Sequence, residues 1–385
     1  MIETDFITAN RILFGVGKIN QLPQLIEPFG KRALVVRGGG ASHGKKFYDL
    51  LKTTGLALTD FPVKHEPDLD AIDQAVSLAR KSKCEFVLGF GGGSVIDTGK
   101  AVAALLNNAG DLLDYLEVVG KGLPLKNLSK PYIAIPTTAG TGSEVTKNAV
   151  ISVPDKKVKV SMRSNTMLPA LALVDPEFTY DLPPELTAVT GMDAFIQVIE
   201  PYVCNSPNPM VDMFCRDAIP RAARHLLRAY KNGQNQTARE NMAWVSLMGG
   251  LSLANAKLGA VHGFAGPIGG MFNAPHGAVC AALLPSVMKV NCELISDQYG
   301  YEDIHNRYLD IARWVTGDKT ASINDGVEWF NQLGDEMKIP KLSDFGIHKN
   351  DFTAIIEKAE RSSSMKGNPV SLTRTDLARI LELAQ

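Results

Sequence analysis

The first half of the chain repeats one pattern, in which a short apolar strand ends in a glycine-rich turn and a helix follows. Arg32–Arg37 contains β-branched residues and ends at Gly38–Gly40, and Glu85–Phe90 ends in a GGGS turn before a helical pattern over Val95–Leu106. Strands that alternate with helices pair in parallel and bury both faces of their sheet. The sequence therefore predicts an α/β domain with a mostly parallel sheet.

The other elements of this half follow from the same rules. Asp68 or Asp70 is placed to cap a helix, because a short carboxylate accepts hydrogen bonds from the free N–H groups of a helix start. Two apolar runs around Pro154–Lys157 predict a β-hairpin. The predicted elements are helices over His43–Thr53 and Asp70–Lys81, strands over Tyr132–Ile135 and Leu171–Val174, and hairpin strands over Val150–Val153 and Val158–Met162.

The second half carries helical patterns without strand patterns. A chain of 385 residues is long enough for two hydrophobic cores. Strand patterns end before Pro183, so we place the boundary near Asp181 and predict an α/β domain over 1–181 and an all-α domain over 182–385. The predicted helices are Glu185–Val203, Met210–Asn232, Ala238–Lys257, Gly277–Leu294, Glu302–Val315, Ile323–Met337, Asp351–Ser362 and Arg374–Ala384.

Charge and composition exclude several classes of partner. The formal net charge is −1 and no block of like charge occurs, so we expect no nucleic-acid partner. The N-terminal residues lack the apolar core of a signal peptide, and no run of about 18 apolar residues indicates a membrane span. The five cysteines lack CxxC spacing, which favours reduced, buried thiols in a cytoplasmic protein. They are Cys84, Cys204, Cys215, Cys280 and Cys292.

Two loops that follow strands are candidates for a nucleotide site. In the GGGS turn, glycines would let a ligand approach the backbone, and the following helix N-terminus favours a phosphate. Ser94 would cap that helix or donate to the phosphate. Pro136–Glu144 follows another strand and is rich in hydroxyl groups and glycine. Each loop alone is also explained as an ordinary turn, but two of them on one sheet favour a shared nucleotide site.

The segment Val261–Gly277 holds two of the seven histidines, His262 and His276. Its glycines and prolines predict a turn between them, so that a helix–turn–helix would aim both imidazoles at one point. Imidazole is a common ligand of zinc and iron, although two unrelated loop histidines would give the same pattern. Asp193 and Gln197 stand four residues apart on one helix face, which matters only if that face meets the histidines.

Motifs spread over nearly the whole chain resemble those of the iron-containing, or group III, alcohol dehydrogenase family. GGGS alone is unspecific, but the ordered set at these separations is specific. The motifs are RILFGVGKINQLPQLIEPFGKRALVV near the start, GFGGGSVIDTGK at Gly89–Lys100, IPTTAGTGSEVT at Ile135–Thr146, LVDPEFT at Leu173–Thr179, GMDAF at Gly191–Phe195, VHGFAGPIGGMFNAPHG at Val261–Gly277 and the tail LTRTDLARILELA.

The resemblance implies a nucleotide-binding domain over 1–181 and a helical metal-binding and substrate domain over 182–385, with NAD(P) and iron or zinc held in a cleft. It implies reversible oxidation of a small alcohol, or reduction of an aldehyde or ketone, with no catalytic side chain beyond the metal site. The implied metal ligands are Asp193, His262 and His276, with Gln197 at the fourth position. The implied cofactor residues are Gly92, Gly93 and Ser94 at the pyrophosphate, Asp97 behind them, Thr137, Thr138 and Thr141 along the cofactor, and Lys159 near the nicotinamide ribose.

Two positions depart from the usual pattern of that family. Its first ligand helix usually contains D-x-x-x-H, but residue 197 is Gln. A further histidine often follows four residues after the first ligand histidine, but that position is Gly266, which leaves the proton relay unassigned. A neutral amide binds borderline metals less well than imidazole does, so we predict a metal site of reduced affinity that accepts zinc or iron.

The turn after the first strand favours NADP(H) over NAD. Members of the family that prefer NAD commonly place an acidic residue there, which would repel the 2′-phosphate of NADP. Here no acid is present, and Lys45 and Lys46 follow, although glycine alone would admit either cofactor. The turn residues that we assign to the cofactor are Gly38, Gly39, Gly40 and Ser42.

Three alternatives remain open at this level. A metal-independent reductase of an oxo acid, similar to maleylacetate reductase, would bind the carboxylate with a cation such as Arg163. A lyase of the dehydroquinate synthase type shares the architecture, although the GMDAF and PHG motifs match it less well. A catalytically silent nucleotide-binding protein would explain the altered ligand. Met271 and Phe272 suggest an apolar substrate lining or a core, and the family habit of pairing N-terminal strands predicts a homodimer or higher homo-oligomer.

Overall fold

The computed structural model describes residues 4–38, 44–156, 158–272, 274–296 and 299–385. The chain forms two compact units. The α/β unit comprises Ile7–Thr138 and Gly142–Asp181. The helical unit comprises Leu182–Gln385 together with Ala139–Thr141 and the residues up to Phe6. Two short segments of the first half therefore belong to the helical unit.

Eight strands occur among the described residues. They are β1 (Ile12–Phe14), β2 (Arg32–Arg37), β3 (Ala57–Pro62), β4 (Phe86–Gly91), β5 (Tyr132–Pro136), β6 (Asn148–Val153), β7 (Val158–Arg163) and β8 (Leu171–Val174). Six of them form one sheet in the order β1-β8-β5-β4-β2-β3, and every neighbouring pair is parallel. The strands β6 and β7 form an antiparallel hairpin. The predicted parallel sheet and the predicted hairpin are thus confirmed.

Helices cover both faces of the sheet. On one face, Leu34 of β2 packs in a buried cluster with Ile72, and on the other Val35 packs with Leu22 and Phe47. Because side chains alternate along a strand, adjacent residues of β2 serve opposite cores. The helices of this unit are α1 (Leu22–Ile26), α2 (Gly44–Lys52), α3 (Leu69–Lys81), α4 (Gly93–Asn107) and α5 (Leu112–Tyr115).

Some local predictions for this unit need correction. The strands β1 and β3 lie at the two edges of the sheet and were not predicted, because β1 has three residues and β3 lacks a continuous apolar run. Asp68 caps α3 by accepting a hydrogen bond from Ala71 N–H, as one of the two options proposed. Ser94 does not cap α4, because the helix begins at Gly93, two residues before the predicted start at Val95, and Gly92 is its N-cap.

The helical unit is organised around α6, which is buried along most of its length and packs against α7, α8 and α10. Its helices are α6 (Pro184–Val203), α7 (Pro209–Lys231), α8 (Gln236–Asn255), α9 (Ala260–Phe272), α10 (His276–Ser296), α11 (Glu302–Thr316), α12 (Ile323–Glu336), α13 (Phe352–Ala359) and α14 (Arg374–Leu383). By length and composition alone α10 is apolar enough to cross a membrane, but 67% of its most apolar window is buried inside the protein. The core helix of a folded domain is buried in the same way, so the apolar composition of α10 is only weak evidence for a membrane span.

The predicted turn between the two histidines is much shorter than expected. The glycines Gly263, Gly266, Gly269 and Gly270 all lie inside α9, and the break falls between Phe272 and His276. At Gly263 the reason is packing rather than turning, since an added Cβ would lie 2.9–3.2 Å from Met365. Glycine here lets two segments approach closely, so its presence was the wrong signal for a loop.

Candidate metal centre and nucleotide site

One face of the buried helix α6 carries three polar side chains. Asp193, Gln197 and Glu200 follow one another at intervals of four and three residues, which places them in a line along the helix. All three are buried, with 3–5% of each residue exposed. Burying a carboxylate is unfavourable unless it is paired or binds a cation, so this face requires partners.

The partners of Asp193 are the two histidines of the predicted segment. His262 on α9 places Nε2 3.3 Å from Asp193 Oδ1, and His276 at the start of α10 places Nε2 3.8 Å from the same oxygen. The two imidazole rings are tilted, with their centroids 5.5 Å apart. The structure therefore brings together the three side chains that the sequence motifs single out as ligands.

Glu200 is a member of this centre that the sequence analysis missed. His262 Nδ1 lies 2.6 Å from Glu200 Oε2, and Val261 N–H donates to Glu200 Oε1 at 2.8 Å. An Nδ1–H donor leaves the lone pair of the neutral ring on Nε2, which faces Asp193. A carboxylate behind a histidine is the usual way to orient a metal-binding imidazole. The available signal was its spacing of seven residues from Asp193, which is two helical turns.

The electrostatics of the group favour charged acids around a cationic site. Burial alone would raise the pKa of Asp193, but hydrogen bonding from His262 and the charges of both histidines lower it. Burial alone would lower the pKa of His262, but Glu200 and Asp193 raise it to about 9. In the metal-free protein, the imidazole of His262 therefore holds an extra proton between Asp193 and Glu200. A bound metal cation would take the place of that positive charge.

Gln197 also contacts the centre. Its amide favours the charged form of Asp193 through a hydrogen bond, and its Nε2 lies 3.4 Å from the carbonyl oxygen of Gly140. Its Oε1 is buried without a hydrogen-bond partner among the described residues. A buried acceptor without a donor is unfavourable by about 1–3 kcal/mol, so this oxygen is a candidate for a ligand or a water.

A fourth donor, Cys280, was not assigned to the site from the sequence. It lies one turn after His276 on α10, with Sγ 3.7 Å from His276 Nε2. One ligand atom each from Asp193, His262, His276 and Cys280 lies within 4.8 Å of the other three. A carboxylate, two imidazoles and a thiol at this spacing suit a tetrahedral transition-metal ion, and the residues therefore fit the metal that the sequence motifs imply.

The position of the absent family histidine is open in space. An added Cβ at Gly266 would meet no atom within 4 Å. His276 is also the most accessible member of the donor group, because 39% of its side chain is exposed.

The side chains Met271 and Phe272, named as a candidate apolar lining, are half-buried at the C-terminal end of α9.

In the α/β unit, three candidate loops follow three adjacent strands. Gly38 follows β2, Gly92 follows β4 and Thr137 follows β5, and these strands are parallel neighbours. The chain moves outward from β2 to β3 and then crosses to β4 on the other side of β2. Such a reversal of strand order opens a crevice at the carboxyl ends of the strands, where parallel sheets bind ligands.

The start of α4 is suited to an anion. Its N-cap, Gly92, provides no side-chain hydrogen bond, and the first turn of the helix contains no acidic residue. Gly92, Gly93 and Ser94 are partly exposed. An added Cβ at Gly92 would lie 3.2 Å from the Thr138 side chain, so glycine keeps this backbone accessible. The residues fit a phosphate at the helix N-terminus.

The remaining predicted cofactor residues have varied surroundings. Asp97 accepts hydrogen bonds from the Ser143 hydroxyl at 2.5 Å and Val150 N–H at 2.9 Å, and it pairs with the fully buried Lys100. Lys159 pairs with Glu66 at 2.6 Å.

Asp97 therefore joins α4 to the hairpin strand β6 through contacts inside the unit. Thr141 belongs to the helical unit, whereas Thr137 and Thr138 belong to the α/β unit. Gly39, Gly40 and Ser42 lie outside the described residues. Arg163, the cation considered for an oxo acid, forms an ion pair with Glu117 at 3.4 Å and is 42% exposed.

Two family models match most of the chain. One, described as iron-containing alcohol dehydrogenase, matches residues 9–176, and the other, the C-terminal part of the Fe-containing alcohol dehydrogenase family, matches residues 187–385. The sequence is 32% identical to alcohol dehydrogenase 4 of Schizosaccharomyces pombe, over 97% of this chain and 87% of that protein.

Further matches span both partners almost completely. The sequence is 32% identical to 1,3-propanediol dehydrogenase of Klebsiella pneumoniae, over 99% of this chain and 98% of that protein. The crystal structure of 1,3-propanediol oxidoreductase matches the fold with a TM-score of 0.92 at 31% identity and covers all of both chains.

Proposed function

Because the chain belongs to the iron-containing alcohol dehydrogenase family and is therefore an oxidoreductase, we propose that it transfers hydride reversibly between NADP(H) and a small alcohol or carbonyl compound at a divalent metal site. The observation that carries this proposal is the convergence of Asp193, His262 and His276 in the helical unit. An additional catalytic side chain is not part of the proposal.

The roles proposed for the metal-site residues follow from their chemistry. Asp193 would supply the anionic ligand, and His262 and His276 would supply neutral nitrogen ligands. When bound, the metal would supply Lewis acidity toward the substrate oxygen, and the nicotinamide would supply or accept the hydride. Glu200 would fix the tautomer and the ring orientation of His262 by accepting its Nδ1–H.

Gln197 stays in the proposed site with a secondary role. It hydrogen-bonds Asp193 and presents an amide oxygen without a protein partner, so it would hold Asp193 in place and offer a weak ligand. An amide in place of an imidazole supports the proposed reduction in metal affinity. On these residues alone, zinc and iron are both compatible with the site.

For the cofactor, we propose that the α/β unit binds NADP(H) through the strand-end loops. Gly38, Gly92, Gly93 and Ser94 would face the phosphates, and Gly39, Gly40 and Ser42, which lie outside the described residues, remain assigned to the cofactor. Thr137, Thr138, Thr141 and Lys159 would line the cofactor, and Asp97 would support the loop from behind.

The positive charge for the 2′-phosphate of NADP would come from Lys45. Lys46 is already paired with Glu177 at 2.5 Å, whereas Lys45 is exposed in the first turn of α2. The segment that precedes Lys45 in the sequence contains no acid, so no carboxylate there would repel the 2′-phosphate. A Lys45→Ala change should therefore raise KM for NADPH more than KM for NADH, and Lys46→Ala is the matched control.

The substrate class follows from the relatives, whose names specify alcohols and 1,3-propanediol. We propose a small alcohol or its aldehyde or ketone, in a cytoplasmic homodimer or higher homo-oligomer without a nucleic-acid or membrane partner. The partly exposed Met271 and Phe272 would give the substrate an apolar wall.

The decisive experiment loads chelator-treated protein with zinc or iron(II) and assays a panel of alcohols and carbonyls with both cofactors. The expected result is turnover only with metal, and a higher kcat/KM with NADPH than with NADH. Full activity on an oxo acid in the presence of chelator would replace the proposal with a metal-independent reductase. Cofactor binding without turnover of any carbonyl would indicate a silent protein.

A further inference from the structure

We propose that Cys280 supplies the fourth protein ligand of the metal centre, so that the donor set is Asp193, His262, His276 and Cys280. This inference rests on the proposed function, because it assumes that the cluster binds a divalent metal. It gives a metal-binding role to a residue outside the ligand positions that the sequence motifs mark. The cation that it favours is zinc, because a thiolate is a soft ligand.

The spacing of the donor atoms supports a single tetrahedral ion. Usual zinc bond lengths imply about 3.3 Å between two nitrogen or oxygen ligands and about 3.6 Å between a nitrogen and a sulfur ligand. The separation of His262 Nε2 from Asp193 Oδ1 is 3.3 Å, and that of Cys280 Sγ from His276 Nε2 is 3.7 Å. Both distances match, the separation of His276 Nε2 from Asp193 Oδ1 is 3.8 Å, and all four donor atoms lie within 4.8 Å of one another.

The helix geometry explains why the thiol is at hand. His276 is the first residue of α10 and Cys280 is one turn later, so both side chains share a face of that helix. Cys280 is fully buried. Of the five cysteines, all of them described, it is the one that belongs to a potential metal-binding group of histidine, cysteine and acidic side chains.

Gln197 is the competing candidate for the fourth position. Its Nε2 lies 3.4 Å from the Gly140 carbonyl, and its amide also hydrogen-bonds Asp193. Those contacts engage the amide nitrogen of Gln197, so its oxygen Oε1 is the atom that would compete for the metal. A neutral amide oxygen is also a poorer ligand for zinc than a thiolate is. Cys280 would therefore take the place of the imidazole that position 197 lacks, from a different helix, and would offset the loss of metal affinity proposed for the amide.

A Cys280 thiol that only donates a hydrogen bond to His276 would lie at a similar distance from it. Coordination differs chemically, because the S–H bond breaks, its proton leaves to solvent, and a sulfur lone pair binds the cation without electron transfer. The thiolate and Asp193 together balance the two positive charges of the ion, and the substrate oxygen would bind as a fifth ligand. A metal–sulfur bond therefore separates the two possibilities by direct measurement.

The test is X-ray absorption at the zinc edge of the full-length, zinc-loaded wild-type protein, with cobalt(II) substitution as the second measurement. The expected result is one sulfur neighbour at about 2.3 Å from zinc, and a sulfur-to-cobalt charge-transfer band in the near ultraviolet. The Cys280→Ser variant should lose both signals. It should also bind zinc about 10–100-fold more weakly, with a smaller change for manganese(II).

Two matched variants make the result specific. Cys292→Ser changes another buried cysteine of α10 and should keep both sulfur signals. Gln197→Ala should also keep them, since the amide is not the ligand in this proposal. The wild-type absorption measurement requires no variant to fold, so it stands by itself.

The possible failures are distinguishable. Zinc bound by the wild-type protein with nitrogen and oxygen neighbours alone would overturn the role of Cys280 and leave the proposed function intact. An unchanged zinc affinity in Cys280→Ser would do the same. A wild-type protein that binds no divalent metal, yet turns over carbonyls, would overturn the metal-dependent function and this inference with it.

Discussion

The metal centre and the nucleotide loop are built in opposite ways. In the helical unit, the donors are side chains on α6, α9 and α10, and each ligand depends on one residue. In the α/β unit, the proposed phosphate site consists of backbone at strand ends, where glycine is suited because it has no side chain. A site of side chains changes its chemistry with one substitution, such as Gln197. A site of backbone changes only when an added atom closes it.

The largest expected effect is the loss of the shared anionic ligand. Asp193→Asn keeps the shape of the side chain but removes the charge that faces both histidines. We expect kcat/KM to fall on the order of 10³-fold, because Lewis-acid assistance contributes several kcal/mol. Steady-state kinetics and metal analysis of the purified variant check this.

The control for that change is Asp303→Asn, since Asp303 is 76% exposed and pairs with Arg307. It should leave both metal content and kcat/KM unchanged. If Asp193→Asn retained wild-type activity, the side chains of the helical unit would not form the reacting site, and the contrast between the two sites would fail.

The next effect is a pH dependence of the metal-free protein. Glu200 and Asp193 raise the pKa of His262 to about 9 from an ordinary 6.5, against the opposing effect of burial. The stabilisation is therefore fully present below pH 6.5 and is lost as pH rises through about 9. We expect a decrease on the order of 3 kcal/mol across that window.

Denaturant unfolding of chelator-treated protein measures this loss. The same window should show zinc affinity rising with pH, because zinc must displace the proton on His262. If the free energy of unfolding of the metal-free protein does not change across this pH window, His262 does not hold a proton between the two acids.

A smaller effect is expected from the residue behind His262. Glu200→Gln preserves the shape but removes the charge that orients the ring, so zinc affinity should fall about 10–100-fold. Competition with a chelating dye measures the affinity. The control is Glu293→Gln on α10, which removes an ion pair with Arg379 of α14 and should leave the zinc affinity unchanged. Equal losses in both variants would indicate a general electrostatic effect instead.

The nucleotide loop should respond to added volume instead of lost charge. In Gly92→Ala, the new Cβ would lie 3.2 Å from the Thr138 side chain, so that side chain must give way and the added methyl group narrows the loop. We expect the Kd for NADPH to rise about tenfold, or about 1.4 kcal/mol, with metal affinity unchanged. Fluorescence titration measures the Kd. At Gly334, in α12 of the helical unit, an added Cβ meets no atom within 4 Å, so Gly334→Ala is the control.

The same contrast explains what the sequence predicts well. Strand β2 and strand β8 were predicted with their observed bounds, because a buried strand in a parallel sheet is a continuous apolar run between turns. Edge strands such as β3 have no such run and escaped detection. The strand-end loops were found for a related reason, since their signal is local in the sequence.

The metal centre was only partly predictable. Asp193, His262 and His276 stood out through motifs, but Glu200 joins the group through its contacts with α9, and Cys280 joins it through the packing of α10 against α6. A glutamate and a cysteine in helical patterns have no local signal that distinguishes them from ordinary helix residues. Only the three-dimensional arrangement reveals what they face, and this is why a side-chain site is harder to derive than a backbone site.

The smallest effect concerns glycines that were taken for a turn. Gly266 lies inside α9, and an added Cβ would meet no atom within 4 Å, so Gly266→Ala should stabilise the protein by about 0.5–1 kcal/mol. Gly263→Ala is its matched opposite in the same helix. There the Cβ would press on Met365, and crowding of this kind destabilises by about 1–3 kcal/mol. Denaturant unfolding of the two variants measures both effects. If both variants lost stability, the backbone of α9 would require glycine at both positions, as the nucleotide loop does.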